Sequence, residues 1–169
     1  VRNGNLVNVL AYDKNEKEVS LQGDYCLIAI GRKPYTEGLN LKAVGLDVNE
    51  RGQIEINENM QTQVENIYAI GDVTGNPMLA HKATHEGKVA AENIAKLDSI
   101  FDPIGIPSVI YTNPEIAWVG YTENELKNQN IKYNKAIFPW AASGKAMATN
   151  SMNGKTKILS SKDSSKILG

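Results

Sequence analysis

The chain has 169 residues, of which 41% are hydrophobic and 22% are charged, and its formal net charge is -1. This composition is typical of a globular protein of one or two domains, and the balanced charge gives no indication of a nucleic-acid partner. The apolar runs are far shorter than the roughly 20 residues of a membrane span and no signal peptide opens the sequence, so we expect a cytoplasmic protein, or a mitochondrial-matrix protein if the source is eukaryotic.

The N-terminal part of the chain is predicted to form strands. Apolar residues alternate between Leu6 and Tyr12, the polar segment DKNEK follows, and EVSLQGDYCLIAI contains one or two further strands. Strands joined by such short turns form an antiparallel meander. The apolar run at residues 26–30 predicts a last strand that is buried on both faces. Gly31 ends this strand, and the connection GRKPYTEGLN marks a first domain boundary.

Cys26 is the single cysteine of the chain. A lone cysteine excludes an internal disulfide and any metal or redox motif that is built on paired cysteines. Because Cys26 lies in the predicted buried strand, we interpret it as a packing residue and not as a nucleophile.

The middle of the chain alternates short strands with loops and then forms a helix. We predict a turn of helix at residues 41–44 and strands at residues 53–56 and 67–70. A Gly-bounded loop that carries Asp72 follows, and a helix begins near Pro77, because proline is favoured at the first helical position. Apolar and small residues at spacings of three and four predict one apolar face on this helix: Ala80, Ala83, Gly87, Ala90, Ile94 and Leu97.

The loop and the helix start together suit a particular kind of ligand. A carboxylate such as that of Asp72, between glycines that admit a ligand, can accept hydrogen bonds from sugar-alcohol hydroxyls. The unpaired N–H groups and positive dipole end of the helix favour an electron-rich or anionic group. Flavin combines hydroxyls with a ring that becomes anionic on reduction. From the residues alone, however, Asp72 could equally close an Asx-type turn.

The two histidines, His81 and His85, are spaced four residues apart on the predicted helix. Such a pair can bind zinc from one helix face. The residues between them are KAT, and we find no third ligand in the sequence. We therefore do not predict a metal site.

A second boundary is predicted at DSIFDPIGIPS, which contains two prolines and a glycine. Beyond it, a helix opened by a Thr122-to-Glu125 capping pattern runs to about Gln129. Four strand-like segments surround this helix, at residues 108–111, 116–119, 133–138 and 155–159. This pattern indicates an α+β domain with an antiparallel sheet.

Several of these segments resemble one known family. The segment IYAIGDVTGNPMLAHKATHEGKVAAENIA is similar to the second flavin-binding motif of the two-dinucleotide-binding-domain disulfide oxidoreductases, and MLAHKATHEG to their dihydrolipoamide dehydrogenase branch. LIAIGRKPYTEGLNL resembles the family's exit from its NAD domain. IPSVIYTNPEIAWVGYTENEL and FPWAASGKAMATN resemble the start of its dimer-interface domain. The resemblance covers essentially the whole chain, with the motifs in the family's order.

The resemblance implies roles for six residues. Asp72 would hydrogen-bond the ribityl chain of FAD, and Gly31 would line the NAD site, although by itself Gly31 could equally be a strand-ending glycine. Four residues would lie along the flavin ring at the helix N-terminus, mostly through their backbone: Met78, Leu79, Ala80 and His81. His81 is therefore interpreted as a neighbour of the flavin and not as a proton-transfer catalyst.

Three motifs of the family do not occur in this sequence. A CxxxxC redox motif needs two cysteines, no two glycines are separated by a single residue as GxGxxG requires, and no HxHP segment is present. We therefore expect an internal fragment of mixed α/β and α+β class. It would comprise the end of an NAD-binding domain (residues 1–34), the second segment of an FAD-binding domain (35–102) and a truncated start of a dimerisation domain (103–169). Alone, the fragment is expected to be inactive and to bind FAD weakly or not at all.

The parent protein is expected to oxidise dihydrolipoyl groups with NAD, through FAD, in 2-oxoacid dehydrogenase complexes. Its expected partners are the lipoyl domain of such a complex and a second copy of itself, which it would contact through the C-terminal region. One alternative is a related flavin disulfide reductase of the mercuric or glutathione reductase type; AHKATHEG argues against the latter. The other is a non-catalytic nucleotide-binding or assembly domain.

Overall fold

The computed structural model describes residues 2–3, 6–164 and 166–169. The chain divides into two compact units, with the division between Lys33 and Pro34.

The first unit is built on an antiparallel sheet in the order β1-β2-β3, with β1 at Arg2–Asn3, β2 at Leu6–Tyr12 and β3 at Glu18–Gly23. The hairpin between β2 and β3 closes through Asp13, whose side-chain Oδ1 accepts hydrogen bonds from the backbone N–H groups of Asn15 and Lys17 at 2.7 and 3.0 Å. The predicted strand at Leu6–Tyr12 and its antiparallel hairpin are thereby confirmed.

The prediction of a buried strand at residues 26–30 is wrong for this structure. Within the described residues this segment is not part of any sheet, and the side chains of Leu27 and Ile30 are 88% and 94% exposed. Cys26 is also exposed, so its interpretation as a packing residue is wrong as well. A strand of this apolar kind needs strands on both edges and layers on both faces, and the described part of the first unit supplies neither.

The middle of the second unit has two 3-10 helices, at Leu41–Val44 and Gly71–Thr74, and one long helix, α1, at Ala80–Ile94. The predicted strands at residues 53–56 and 67–70 are wrong. These residues make separate backbone contacts in place of a ladder: the Ile54 N–H donates to the Val73 carbonyl at 2.9 Å, and the Ala69 N–H donates to the Met60 carbonyl at 3.1 Å.

A small core packs beneath α1. Val89 and Ala90 of the helix are buried against Met60, and three partly buried side chains complete the cluster: Ile56, Tyr68 and Phe101. The amide of Asn93 joins the helix to the segment that follows it, because its Nδ2 donates to the Ser99 carbonyl at 2.6 Å. This packing anchors the C-terminal half of α1.

The rest of the second unit consists of two antiparallel strand pairs and two short helices. β4 (Ser108–Ile110) pairs with β5 (Ile116–Trp118), and β6 (Tyr133–Pro139) pairs with β7 (Lys155–Ser161). The strands predicted in these four places and their antiparallel pairing are confirmed, but they form two separate two-stranded sheets and not the single sheet that was predicted. The structure adds a 3-10 helix at Trp140–Ala142 and the helix α3 at Gly144–Ala148, which the sequence reasoning missed.

Helix α2, at Glu123–Asn128, begins with the predicted capping box. The Thr122 hydroxyl accepts from the Glu125 N–H, and the Glu125 carboxylate accepts from the Thr122 N–H at 2.7 Å. This hydrogen bonding lowers the pKa of Glu125, since it stabilises the ionised form. Leu126 in the same helix is fully buried.

A charged cluster joins the start of α2 to the β6–β7 pair. The Glu123 carboxylate accepts from Lys157 Nζ at 2.8 Å and from Lys135 Nζ at 3.2 Å. These two charge-assisted hydrogen bonds lower the pKa of Glu123 to about 2, from an ordinary value of 4.5. The cluster therefore links three elements most strongly while Glu123 is ionised.

We expect the second unit to lose stability as the pH falls from about 4.5 to about 2. The pKa of Glu123 is lower in the folded state than in the unfolded state, so the unfolded state binds the proton first and is favoured by acid. Above pH 4.5 the contribution is fully present. Urea unfolding across this pH range measures it, with Glu123→Gln as the control that lacks the titrating group. Identical pH dependence in both proteins would contradict the prediction.

Candidate functional site

The turn that carries Asp72 is a 3-10 helix at Gly71–Thr74, bounded by Gly71 and Gly75, which both have positive φ angles of 78° and 107°. Asp72 is half-buried. The turn lies directly against α1, because a Cβ added to Gly71 would be 3.2 Å from the Cβ of Ala83. The backbone angle therefore favours glycine at position 71, and the close approach of the helix leaves little room for a side chain there.

Helix α1 begins at Ala80, three residues after the predicted start near Pro77. Its N-cap residue, Leu79, is extended and makes no side-chain capping hydrogen bond, and the first turn contains no acidic residue. The N–H groups at this end therefore have no partner within a capping motif and remain suited to an electron-rich group. Met78 and Leu79 are half-buried, whereas Ala80 and His81 are exposed.

A buried ion pair on α1 holds the Asp72 turn. Lys82 Nζ lies 3.0 Å from Glu86 Oε1, and the two side chains are 6% and 3% exposed. The Glu86 carboxylate accepts from the Gly71 N–H at 2.7 Å. Lys82 Nζ donates to the Gly71 and Gly75 carbonyls at 3.3 and 3.2 Å and to the Thr74 hydroxyl at 3.2 Å. One charged pair thus binds both ends of the turn to the first two turns of the helix.

The buried face of α1 differs from the predicted apolar face. The buried residues are Lys82, Glu86, Val89 and Ala90. Of the six residues predicted to form the face, only Ala90 is buried, and Ile94 is 62% exposed. The helix turns its ion pair toward the Asp72 turn, so Ala80, Ala83 and Gly87 of the predicted face stay partly or fully exposed.

His81 connects the first turn of α1 to the following part of the same unit. Its Nε2 lies 2.7 Å from the Pro107 carbonyl oxygen. A carbonyl oxygen only accepts, so Nε2 carries the proton and, in the neutral ring, Nδ1 is the acceptor. The structure therefore places Asp72, Met78, Leu79, Ala80 and His81 around the junction of the turn and α1.

Gly31 belongs to the first unit. It is exposed, its φ angle is 122°, and no atom lies within 4 Å of the position that a Cβ would occupy.

The described residues contain no group of three or more His, Cys, Asp or Glu side chains that could hold a metal ion. No helix in the described part of the chain has both the length and the apolar character needed to cross a bilayer.

Sequence reasoning missed Lys82 and Glu86, although a signal for them is present. The helix start from Met78 onward is poor in charge, and within it these two residues have opposite charge and a spacing of four. This spacing places them on one helix face. The usual expectation for such a pair is a solvated surface bridge, and only the position of the turn shows that it is buried.

Two family models match the chain. Residues 2–87 match the pyridine nucleotide-disulphide oxidoreductase model, and residues 106–169 match the dimerisation-domain model of the same family. The chain therefore belongs to the pyridine nucleotide-disulphide oxidoreductase family, and the resemblance found in its motifs is confirmed.

Within this family, the chain is similar to proteins named dihydrolipoyl dehydrogenase. It is 52% identical to that of Buchnera aphidicola from Acyrthosiphon pisum over 146 residues, which are 86% of this chain and 31% of the relative. It is 42% identical to the mitochondrial protein of Caenorhabditis elegans over 169 residues, covering 99% of this chain and 34% of the relative. The chain spans about a third of the length of these curated relatives.

A solved structure shares the fold. The Cu(II) complex of the HOCl-induced flavoprotein disulfide reductase RclA of Escherichia coli matches with a TM-score of 0.84 and 25% identity, over 99% of this chain and 38% of RclA. The arrangement of the described elements is thus one that a flavoprotein disulfide reductase contains.

We expect Lys82→Met to lower the free energy of unfolding by on the order of 3–5 kcal/mol, because it leaves the Glu86 carboxylate buried without its counter-charge. Lys88→Met is the matched control: Lys88 forms an i,i+4 pair with Glu92 on the same helix, but its side chain is 71% exposed. Its loss should cost below about 0.5 kcal/mol. Urea unfolding measures both. Equal costs for the two variants would show that the Lys82 pair is not the anchor.

Proposed function

We propose that the complete protein containing this chain is a dihydrolipoyl dehydrogenase, which converts dihydrolipoamide and NAD+ into lipoamide, NADH and a proton. The observation that carries the flavin-binding part of this proposal is the Asp72 turn, bound by the buried Lys82–Glu86 pair to the uncapped N-terminus of α1, whereas the choice of substrate rests on the similarity to named relatives. Identities of 42% to 52% to proteins with this name support it.

The described residues fit FAD as the cofactor of this site. The half-buried Asp72 carboxylate is an acceptor that suits the ribityl hydroxyls. The N-terminal N–H groups of α1 have no side-chain cap and suit the electron-rich edge of the isoalloxazine ring. When bound, FAD supplies the electron transfer between the thiols of the substrate and NAD.

The residues of this chain would bind and orient, and none is proposed to react. Asp72 would hold the ribityl chain. Four residues would lie along the ring at the start of α1, mostly through their backbone: Met78, Leu79, Ala80 and His81. The His81 ring is already hydrogen-bonded to the Pro107 carbonyl, which supports a positioning role over proton transfer. Gly31, with open space where a side chain would stand, would line the NAD site.

We assign the chain to three domains of the complete protein. Residues 1–34 would end the NAD-binding domain, residues 35–102 would form the second segment of the FAD-binding domain, and residues 103–169 would begin the dimerisation domain. The limits of the two family matches, at residues 2–87 and 106–169, support a change of domain between them. The mitochondrial relative and the bacterial relatives support the mitochondrial matrix or the cytoplasm as its location.

A second candidate is a flavin disulfide reductase with another substrate, such as mercuric or glutathione reductase. The likeness to RclA favours this alternative, because fold and cofactor site do not define the substrate.

Reduction of NAD+ by dihydrolipoamide, followed as NADH absorbance with the complete protein, tests the proposal. We expect the 169-residue chain alone to be inactive in this assay. Activity of the complete protein only with glutathione disulfide or Hg(II) and a reduced nicotinamide would favour the second candidate.

We expect Asp72→Asn in the complete protein to weaken FAD binding about 10-fold or more, since hydrogen bonds to a charged acceptor contribute about 1.5–3 kcal/mol. Fluorescence titration of the apoprotein with FAD measures the affinity. Asp102→Asn, at an exposed carboxylate in the same unit, is the control and should bind FAD as the unmodified protein does. Unchanged affinity in Asp72→Asn would refute the role assigned to this carboxylate.

We further propose that the complete protein is a homodimer in which the region after Ile106 forms part of the contact, and that it acts on a lipoyl domain. The match of residues 106–169 to a dimerisation domain supports the first point. Sedimentation equilibrium should give twice the monomer mass, and specific activity should fall on dilution below the dimer dissociation constant. A fully active monomer would contradict the dimer.

A further inference from the structure

One side-chain pair holds both backbone groups of Gly71, the residue directly before Asp72. The Gly71 N–H donates to Glu86 Oε2 at 2.7 Å, and the Gly71 carbonyl accepts from Lys82 Nζ at 3.3 Å. The Thr74 hydroxyl also donates to this carbonyl at 2.8 Å. Because the N–H and the carbonyl of Gly71 are both hydrogen-bonded to side chains of α1, the helix fixes the backbone orientation immediately before Asp72.

The polarity of the pair matches the turn. The ammonium of Lys82 faces two carbonyls, those of Gly71 and Gly75, and the carboxylate of Glu86 faces an N–H group. If the two charges were exchanged, a carboxylate would face the carbonyls and an ammonium would face the N–H donor. The attraction between the two side chains would remain, and the Thr74 hydroxyl could still donate or accept. The contacts with the N–H of Gly71 and with the carbonyls of Gly71 and Gly75, however, would become repulsive.

The burial of this pair is costly, which makes a purely stabilising role a poor explanation. The two side chains are 6% and 3% exposed. A buried ion pair is often no more stabilising than apolar residues of the same volume, because both charges lose their hydration. What apolar residues cannot provide is an acceptor for the Gly71 N–H and a donor for the carbonyls of Gly71 and Gly75.

We propose that Lys82 and Glu86 are positioning residues, which set the orientation of the Asp72 carboxylate for the cofactor through the backbone of Gly71. The order of the charges, lysine before glutamate, is part of this role. The proposal rests on the proposed function, since it takes Asp72 as a ligand of FAD. Neither residue is expected to touch the cofactor.

The first test exchanges the charges in the complete protein. We expect Lys82→Glu/Glu86→Lys to weaken FAD binding roughly 10-fold or more, because each reversed contact leaves a buried group unpaired. The exposed pair Lys88–Glu92, with the same spacing on the same helix, offers a matched control. The exchange Lys88→Glu/Glu92→Lys should change FAD affinity by less than about twofold.

The second test uses a milder substitution, in case the exchanged pair prevents folding. Glu86→Gln keeps an acceptor for the Gly71 N–H but removes the charge opposite Lys82. A double-mutant cycle with Asp72→Asn then measures coupling in the FAD dissociation constant. If Glu86 acts through Asp72, Glu86→Gln weakens FAD binding when Asp72 is present. In the Asp72→Asn background, the same substitution changes the FAD dissociation constant by less than about twofold.

A third measurement does not require the cofactor. Amide hydrogen exchange of the apoprotein should show faster exchange at Gly71 in Glu86→Leu, which removes the acceptor of the Gly71 N–H, with the core residues around Val89 protected as before. Unchanged exchange at Gly71, additive effects in the cycle, or full FAD affinity in the exchanged pair would each overturn the positioning role. If the unmodified complete protein does not bind FAD, the proposed function fails, and exchange at Gly71 still decides whether the pair orders the turn.

Discussion

The arrangement of the candidate site depends on a buried lysine–glutamate pair. Lys82 and Glu86 lie within the first two turns of α1, and together they bind the backbone from Gly71 to Gly75. A 3-10 turn of four residues has little stability of its own, since its hydrogen bonds are few and its ends are open. The pair connects this turn to the start of α1 through hydrogen bonds at Gly71 and Gly75. The proposed binding of a flavin by Asp72 and the uncapped N–H groups of α1 relies on this connection.

The parts of the fold that depend on neighbours close in sequence could be predicted. The hairpin of Leu6–Tyr12 with Glu18–Gly23 follows from alternation and a short polar turn, and the capping box at Thr122 follows from two residues three apart. The run at residues 26–30 was misread, because a strand of this kind exists only where other chain segments pair with it. Its apolar residues suit a buried position between other strands, which the described part of the first unit does not provide.

The candidate site shows the same division between local and non-local information. Motifs around Asp72 and the helix start identify the family, and the match of residues 2–87 bears this out. Helical periodicity, however, assigned α1 the wrong buried face. Periodicity uses hydrophobicity alone, so it does not predict that Lys82 and Glu86 are buried. Their burial depends on the Gly71 carbonyl, eleven residues before Lys82, and on the Gly71 N–H, fifteen residues before Glu86. A pattern of apolar residues therefore cannot predict which polar side chains are buried.

Two separate restrictions act on a side chain at position 71. Its φ angle of 78° excludes most side chains, and the Cβ of Ala83 stands 3.2 Å from where its own Cβ would be. Relief from one restriction does not remove the other: an asparagine accepts the backbone angle but still meets the helix, and a glycine at position 83 would make room without relaxing the angle. A substitution at position 71 would therefore need both a tolerated backbone angle and a shift of the helix at Ala83, so the turn and α1 cannot be altered here as separate parts.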